Sequence, residues 1–401
     1  MRMSETRDSL CTYLSSRLLA EKRSPYNDGL LEKAWDELRN QPNNALIPTF
    51  TSVVYPPTTL ALLSLFSRLS WNHFRYLLLA VDTVGLIAVL IVLSRSLGGR
   101  LNSQLSLWLW VIGFSWAPWH SGMATGNLSI PAISLGVMGW WAGESRRDWL
   151  ASGFLLLSLM VKPQTGLVFL VILAFRRYWK PVYVSLICWI VILAATVLWM
   201  QRFIPAWWHD YQAMVGVFLA AGRANDPSSG NPLRHDLINL QRLLYPIFDN
   251  GALANALALL LIGLLTLLLV TWHRNREVHI TPLLTSATIV TIGLLPFYHR
   301  FYDASIMLFA VAWAISHWKS GAAIKRCAAG VLAGCVPFLV PGAAALALAV
   351  NHGFVPDVVV KARWWEVFVM SHQVWALLWV AGWLSYAMMV EANKEQERVC
   401  G

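Results

Sequence analysis

RRDWLASGFLLLSLMVKPQTGLVFLVILAFRR, residues 146–177, places one lysine, Lys162, at the centre of an apolar stretch that runs from Trp149 to Phe175. Basic pairs flank it, Arg146 and Arg147 before, Arg176 and Arg177 after. Lys and Arg gather on the cytoplasmic side of short membrane loops, so a single span here would carry the same sign on both sides. Two short helices joined at Lys162-Pro163-Gln164, with both ends cytoplasmic, obey the rule. Pro163 supplies the break, because it lacks an N–H and disfavours helix in the residue before it. A broken helix at membrane depth needs protein or a wet cavity around its freed backbone groups. Lys162 is therefore expected to point into such a cavity and to hold something negative; snorkelling to the nearest interface is the alternative.

The composition agrees with a membrane setting. Hydrophobic residues make up 57% of the 401 and charged residues only 13%, with 22 Trp, where a soluble domain carries about 25% charged residues. The mean hydropathy is +0.53. Trp pairs at 140–141, 207–208 and 364–365 fall near the ends of apolar runs, where amphipathic rings anchor at the headgroups. Besides the hairpin, nine runs approach the length of a span: Phe74 to Ser94, Leu105 to His120, Asn127 to Gly143, Pro181 to Met200, Gly251 to Trp272, Pro282 to Phe297, Asp303 to Trp318, Cys327 to Val350 and His372 to Val390. The expected fold class is all-α, a polytopic transmembrane helical bundle.

Counting outward from the Arg146 and Arg176 loops puts Arg95, Arg100, Arg146, Arg147, Arg176, Arg177, Lys180, Arg274, Arg276, Lys319, Lys325, Arg326, Lys394 and Arg398 inside. The short outer segments carry only Arg300, Lys361 and Arg363. The net charge of +10 is then mostly a topology signal, and no nucleic acid partner is called for. Residues 1–73 form an extracytoplasmic N-terminal segment, 74–390 the multi-span domain with a large outer loop at 201–250, and 391–401 a cytoplasmic tail. Tyr55 to Arg68 and residues 205–221 are expected to lie as short helices in the outer interface, the second covering a site. Long polar segments of this kind are uncommon without a function, so the working surface faces away from the cytoplasm. Cys11, Cys188, Cys327, Cys335 and Cys400 are scattered, with no disulfide framework or metal-ligand spacing.

In order along the chain stand Asp8, Tyr13, Pro25-Tyr26 and Tyr55-Pro56-Pro57, the last leading into Leu60 to Phe66; then Asp82, Gly126-Asn127, Lys162-Pro163, Asn231, and Tyr298-His299-Arg300-Phe301-Tyr302-Asp303. This order resembles the polyprenyl-phosphate-sugar-dependent glycosyltransferases of the GT-C superfamily, and most of all glycosyltransferase family 87. The likeness runs over about residues 8 to 317. It departs from the family pattern in two places: the first family helix, expected upstream of Asp8, is missing from the chain, and Asn231 is followed by Pro232 where a Ser is usual.

The resemblance implies a multi-pass protein of the plasma (inner) membrane with its active site on the extracytoplasmic side. Such a protein transfers a hexose, mannose first among them, from a polyprenyl-phosphate sugar to a lipid or glycan acceptor with inversion. The donor is a substrate; no cofactor and no metal is implied. The resemblance makes Asp8 the base, with Asp28 second, and Lys162, His299 and Arg300 the groups for the donor phosphate. Asp28, Tyr55, Asn127, Asn231, Arg234, Tyr302 and Asp303 are candidates for the substrate cavity. The residues alone leave other readings open: Asp8 as a solvated acid in a charged stretch, Asp28 as part of a turn, His299 and Arg300 as loop polarity, and Asp82 as a structural partner across helices. No Asp-x-Asp pair accompanies Asp8 and no Walker-type loop is present, which disfavours nucleotide-sugar and divalent-metal chemistry. A transporter or flippase for an anionic lipid or sugar would use the same broken helix and intramembrane cation; a catalytically dead scaffold is a third reading.

Overall fold

Pro163 does break the helix. In the computed structural model, which describes residues 7–40, 54–97, 103–220, 222–223, 225–231, 233–274, 280–296 and 298–400, Lys162 lies between two helices with φ −151° and ψ 95°. The helices are α1 (Arg7–Ala20), α2 (Asp28–Arg39), α3 (Pro57–Ser64), α4 (Trp71–Ser96), α5 (Gln104–Phe114), α6 (Ala117–Thr125), α7 (Ser129–Glu144), α8 (Asp148–Val161), α9 (Pro163–Phe175), α10 (Trp179–Phe203) and α11 (Trp207–Leu219). There follow α12 (Leu240–Phe248), α13 (Gly251–Arg274), α14 (Pro282–Gly293), α15 (Leu308–Ser316), α16 (Ala322–Cys335), α17 (Gly342–Asn351), α18 (Asp357–Val360) and α19 (His372–Cys400). The fold is all-α, and the strand pairing among the described residues is one isolated antiparallel bridge, Leu237 with Arg300. Of the basic residues assigned above to inner segments, Arg100 and Arg276 lie outside the described residues, as do Pro232 and the side chains of Arg274, Lys394 and Arg398.

Two units result. The first comprises Met1–Val89 and Trp119–Arg223, the second Leu90–Pro118 and Ala224–Gly401, with α4 running from one into the other.

In the first unit α8 and α9 form the expected hairpin. Gly166 permits it: a Cβ there would lie 2.7 Å from the Leu159 backbone nitrogen and 2.8 Å from its Cα, so only glycine lets α9 start this close to α8. At the far ends of the hairpin the two basic loops come together. Arg176 Nε donates to Glu144 Oε1 at 3.2 Å, the Tyr178 hydroxyl to Glu144 Oε2 at 3.1 Å, and Lys180 Nζ lies 3.6 Å from Asp148 Oδ2. At the tip, the carbonyls left open by the break receive a side chain: the Thr59 hydroxyl of α3 donates to Met160 O at 2.8 Å and to Val161 O at 3.2 Å. The short Tyr-Pro-Pro helix thus closes the backbone accounting that Pro163 opens.

The polar N-terminal segment is packed into the same unit. Leu10, Leu14 and Leu18, spaced by four, turn one face of α1 into a core with Tyr13, Tyr26, Leu31, Leu60, Trp71, Phe74, Leu128, Val161, Met200 and Trp207. Each such leucine contributes roughly 2 kcal/mol of burial. The Tyr13 hydroxyl donates to Leu69 O at 2.7 Å and that of Tyr26 to Tyr55 O at 2.8 Å, tying α1, α2 and α3 into one body.

Five helical stretches are long and apolar enough to cross a membrane: Trp71–Ser96, Trp179–Phe203, Gly251–Leu268, Ala322–Asn351 and His372–Asn393. Only 11% of the Trp179–Phe203 window and 17% of the Gly251–Leu268 window is buried by the protein itself. Exposed leucine, isoleucine and valine on such a scale suits lipid and not water. Other expected runs are shorter or interrupted, and the fourth of the five stretches is itself interrupted. Leu105 to His120 breaks after α5 at Ser115, and Asp303 to Trp318 begins as a 3-10 helix, Phe301–Met307. Cys327 to Val350 is divided between α16 and α17 around Val336–Phe338, where Pro337 and then Pro341 lack the N–H a continuous helix needs.

Candidate functional site

The site in the first unit starts from a glycine. α6 ends at Thr125, and Gly126 follows with φ +64°, the left-handed conformation that closes a helix. The Asn127 N–H returns to Gly122 O at 3.0 Å, as a Schellman closure requires. The absence of a Cβ also makes room for α1, since a Cβ on Gly126 would stand 2.3 Å from Ser9 Oγ and 2.7 Å from Ser9 Cβ. α1 therefore reaches the turn and brings Asp8, one residue before Ser9, beside Asn127.

From there a chain of hydrogen bonds runs in one direction. Lys162 Nζ donates to Ser129 Oγ at 2.5 Å; Ser129 Oγ donates to Asn127 Oδ1 at 2.5 Å; Asn127 Nδ2 donates to Asp8 Oδ2 at 2.7 Å. The Ser129 backbone N–H also donates to Asn127 Oδ1, at 2.9 Å, so Asn127 caps the start of α7 as it holds the carboxylate. Asn127, Ser129 and Lys162 are buried and Asp8 half-buried, against Leu128 and Val161 of the core. Formal charges of opposite sign thus sit at the two ends of a relay whose middle is neutral. A low-dielectric surround strengthens each link. Ser129 was not singled out from the sequence; the signal was the Asn127-Leu128-Ser129 spacing just after a glycine turn, a common local bonding pattern.

A 510 Å³ cavity of the same unit, lined by Tyr13, Arg17, Glu21, Arg68 and Trp71 among others, lies toward the opposite end of α1. Arg17 is nine residues from Asp8, about 13 Å along the helix axis, so the cavity does not contain the relay.

Asp28 is exposed in the first turn of α2, whose cap is Asn27, with Asn27 Oδ1 accepting from Leu30 N at 3.1 Å. Tyr55 is buried, its carbonyl held by Tyr26. Asp82 lies on α4 with both carboxylate oxygens buried and without a hydrogen-bond partner among the described residues.

The remaining candidates belong to the second unit, where the end of the large loop pairs with the late His-containing turn. Ile238 N donates to His299 O at 3.0 Å, Leu240 N to Leu295 O at 2.9 Å and Gln241 Nε2 to Pro296 O at 2.7 Å. Asp303 organises that turn: its Oδ2 accepts from Arg300 N at 3.0 Å and lies 3.2 Å from His299 Nδ1, with His299 and Asp303 both buried. Arg300 Nε donates to the Tyr298 hydroxyl, and Tyr302 is buried in the 3-10 turn. Asn231 shapes the loop, donating to Asp226 O at 2.7 Å and accepting from Leu233 N at 2.8 Å. Arg234 Nη2 meets Glu366 Oε1 at 3.0 Å, and the fully buried Arg242 meets Glu366 Oε2 at 2.5 Å. Burial alone would raise the Glu366 carboxyl, but Arg242 and Arg234 outweigh it and hold the group below its ordinary value. His235 beside them is pushed down to about 4, by burial first and then by the charges of Arg234 and Arg242. Sequence reasoning missed Glu366 and Arg242; an acid 124 residues from its guanidinium partner leaves no local pattern. Among the described residues no group of three or more His, Cys, Asp or Glu comes together.

The model of glycosyltransferase family 87 matches residues 53–296. The chain belongs to glycosyltransferase family 87. It is a membrane glycosyltransferase, with a lipid bilayer, a sugar donor and an acceptor as its partners. No curated protein and no solved structure matches it. The family match contains Asn127, Ser129, Lys162, Asn231 and Arg234; Asp8 precedes it, and His299, Arg300 and Glu366 follow it.

Proposed function

We propose that this family 87 protein moves a hexose, mannose first, from a polyprenyl-phosphate sugar to a lipid or glycan acceptor on the extracytoplasmic face of the plasma membrane, with inversion. The observation that carries the proposal is the directed relay from Lys162 through Ser129 and Asn127 to Asp8. In the proposed step Asp8 Oδ1 takes the proton of the acceptor hydroxyl, whose oxygen forms the new bond to the anomeric carbon. The bond from that carbon to the phosphate oxygen breaks, and the electron pair leaves on the phosphate. One displacement inverts the anomeric centre. Asn127 fixes Asp8 through Oδ2, so the other oxygen is oriented toward the acceptor without reorganisation at the moment of reaction. Lys162, held by Ser129, contributes positive charge toward the departing phosphate. His299 and Arg300 are proposed as anion-binding groups of the second unit.

The test is transfer of labelled sugar from polyprenyl-phosphate-mannose to endogenous lipid acceptors in membranes containing the wild type or Asp8→Asn. General-base catalysis is worth roughly 100- to 10,000-fold, so Asp8→Asn should lose at least about 100-fold. A flippase would lose lipid movement with Lys162 and keep it with Asp8→Asn. Equal transfer by wild type and Asp8→Asn would end the assignment of the base.

A further inference from the structure

We infer that a cavity in the second unit, between the large-loop residues Ser229, Gly230, Arg234 and His235, helix α17 and the π-helical turn Trp365–Val369, binds a neutral hexose ring of the acceptor glycan. The inference rests on the glycosyltransferase reading above and adds to it a place where the acceptor is held.

The cavity has a volume of about 330 Å³, at the lower end of the roughly 300–1,000 Å³ usual for small-molecule sites. Arg234, His235, Trp365 and Glu366 line it together with aliphatic side chains such as Ala347 and Met370. The lining thus offers an aromatic ring and aliphatic groups together with polar groups, the two kinds of surface a sugar needs: C–H groups meet the first and hydroxyls the second. Glu366 sits on a π-helical turn, a feature frequent at functional sites. Its Ser371-bonded carbonyl, 2.8 Å from Ser371 Oγ, helps fix the turn.

The polar groups favour a neutral ligand over an anion. Arg234 already donates through Nη1 to Ser229 O and Asn231 O, each at 3.3 Å, and through Nη2 to Glu366 at 3.0 Å. Arg242 gives Nη2 to the same carboxylate; its Nε and Nη1 are buried without a hydrogen-bond partner among the described residues, away from the residues that line the cavity. An incoming phosphate would meet an ionised Glu366 beside an Arg234 guanidinium that already has a partner. Hydroxyls, which both donate and accept, can bond Glu366 and the remaining Arg234 N–H without adding charge. His235 fits the same chemistry: its Nδ1 is buried without a hydrogen-bond partner among the described residues, and the ring is neutral at pH 7, one nitrogen a donor and the other an acceptor.

The experiment is photolabelling of the full chain in nanodiscs with alkyl mannoside, glucoside and galactoside probes that carry a diazirine on the sugar, followed by peptide mapping. The expected result is labelling within 229–235 or 360–370 by at least one probe, competed by the unlabelled alkyl glycoside and not by an alkyl phosphate. Ala347→Phe, which fills the cavity, and His235→Phe should each reduce that labelling at least tenfold. Asp8→Asn should retain it within twofold while losing transfer. Labelling only elsewhere, no labelling by any of the three, competition by the alkyl phosphate, or undiminished labelling of both cavity variants would each overturn the inference. If Ala347→Phe does not fold, His235→Phe and the competition series decide. Cavity labelling without transfer by any form would sink the transfer reading alone; transfer without cavity labelling would sink this inference alone.

Discussion

Gly126→Ala tests whether the approach of α1 to the α6–α7 turn is what places Asp8. The added methyl would stand 2.7 Å from Ser9 Cβ, and ordinary contact begins at 3.4 Å, so Ser9 must retreat by about 0.7 Å even if its hydroxyl rotates away. Asp8 moves with it on the same helix. A retreat of that size stretches the 2.7 Å bond from Asn127 to Asp8 past the limit of a useful hydrogen bond, about 3.2 Å. The left-handed backbone at φ +64° adds roughly 1–2 kcal/mol for any residue with a Cβ, and overpacking adds about 1–3 kcal/mol. Stability should fall by roughly 2–5 kcal/mol. Displacement of a catalytic group by about 1 Å costs on the order of 100-fold in rate, so transfer should drop by about 10- to 100-fold in protein that is still folded. The assay is initial-rate sugar transfer in membranes, normalised to folded protein, beside a thermal melt. Gly153→Ala, which meets nothing within 4 Å, is the control and should leave the rate unchanged and the melt equal or slightly raised, since alanine favours the helix interior. Ser9→Gly in the Gly126→Ala background removes both close contacts and should restore part of the rate, though not the backbone strain. If Gly126→Ala keeps wild-type transfer, or if Ser9→Gly recovers nothing, the steric account of Asp8 placement is wrong.

Ser129→Ala should remove the hydroxyl that links Lys162 Nζ to Asn127 Oδ1, while Asn127 Oδ1 keeps the Ser129 N–H, at a cost of about 0.5–1.5 kcal/mol for each bond lost. It should lower initial-rate transfer at least tenfold, with Ser129→Thr retaining much of it; a fully active alanine variant would show that the relay is structural only. Glu366→Gln removes the carboxylate between Arg234 and the buried Arg242 and should lower stability by roughly 3–5 kcal/mol, read as a fall in melting temperature; an unchanged melt would count against a buried charge needing its partner. Acid should weaken the same region. His235 titrates at about 4 in the fold and at 6.5 when unfolded, so between those values the unfolded chain binds more protons and stability is lost as pH falls through this window. Glu366, held below its ordinary value, adds a loss in the same direction once pH drops below about 4.5. The melting temperature should therefore fall between pH 7 and pH 5 by less in His235→Phe than in wild type, and an equal fall would remove His235 as the cause.

What was legible in the sequence was local chemistry with a strong sign. Lys162 stood out because a cation followed by proline cannot be hidden in an apolar run, and Gly126-Asn127 through its place in the family resemblance; why a glycine is needed there shows only in its left-handed backbone. The same rules found the Tyr-Pro-Pro helix but not its use, since that depends on Thr59 meeting carbonyls 101 and 102 residues further on. Hydropathy also hid a break inside one span: Cys327 to Val350 reads as one apolar run, yet Pro337 and Pro341 divide it between α16 and α17, and a hydropathy window does not weigh a missing N–H. Ser129 and Glu366 escaped for the same reason in different settings. A serine at the start of an apolar helix and a lone acid in a Trp-rich loop have many ordinary explanations, and each acquires a specific one only when the chain folds: Ser129 beneath the Lys162 break 33 residues away, Glu366 against two arginines 124 and 132 residues away. The broken helix shows where the sequence must place a polar group at membrane depth. Which neighbour receives that group is decided by packing, and it is the packing of α1 on Gly126 that turns a lone lysine and a lone aspartate into the two ends of one hydrogen-bonded relay.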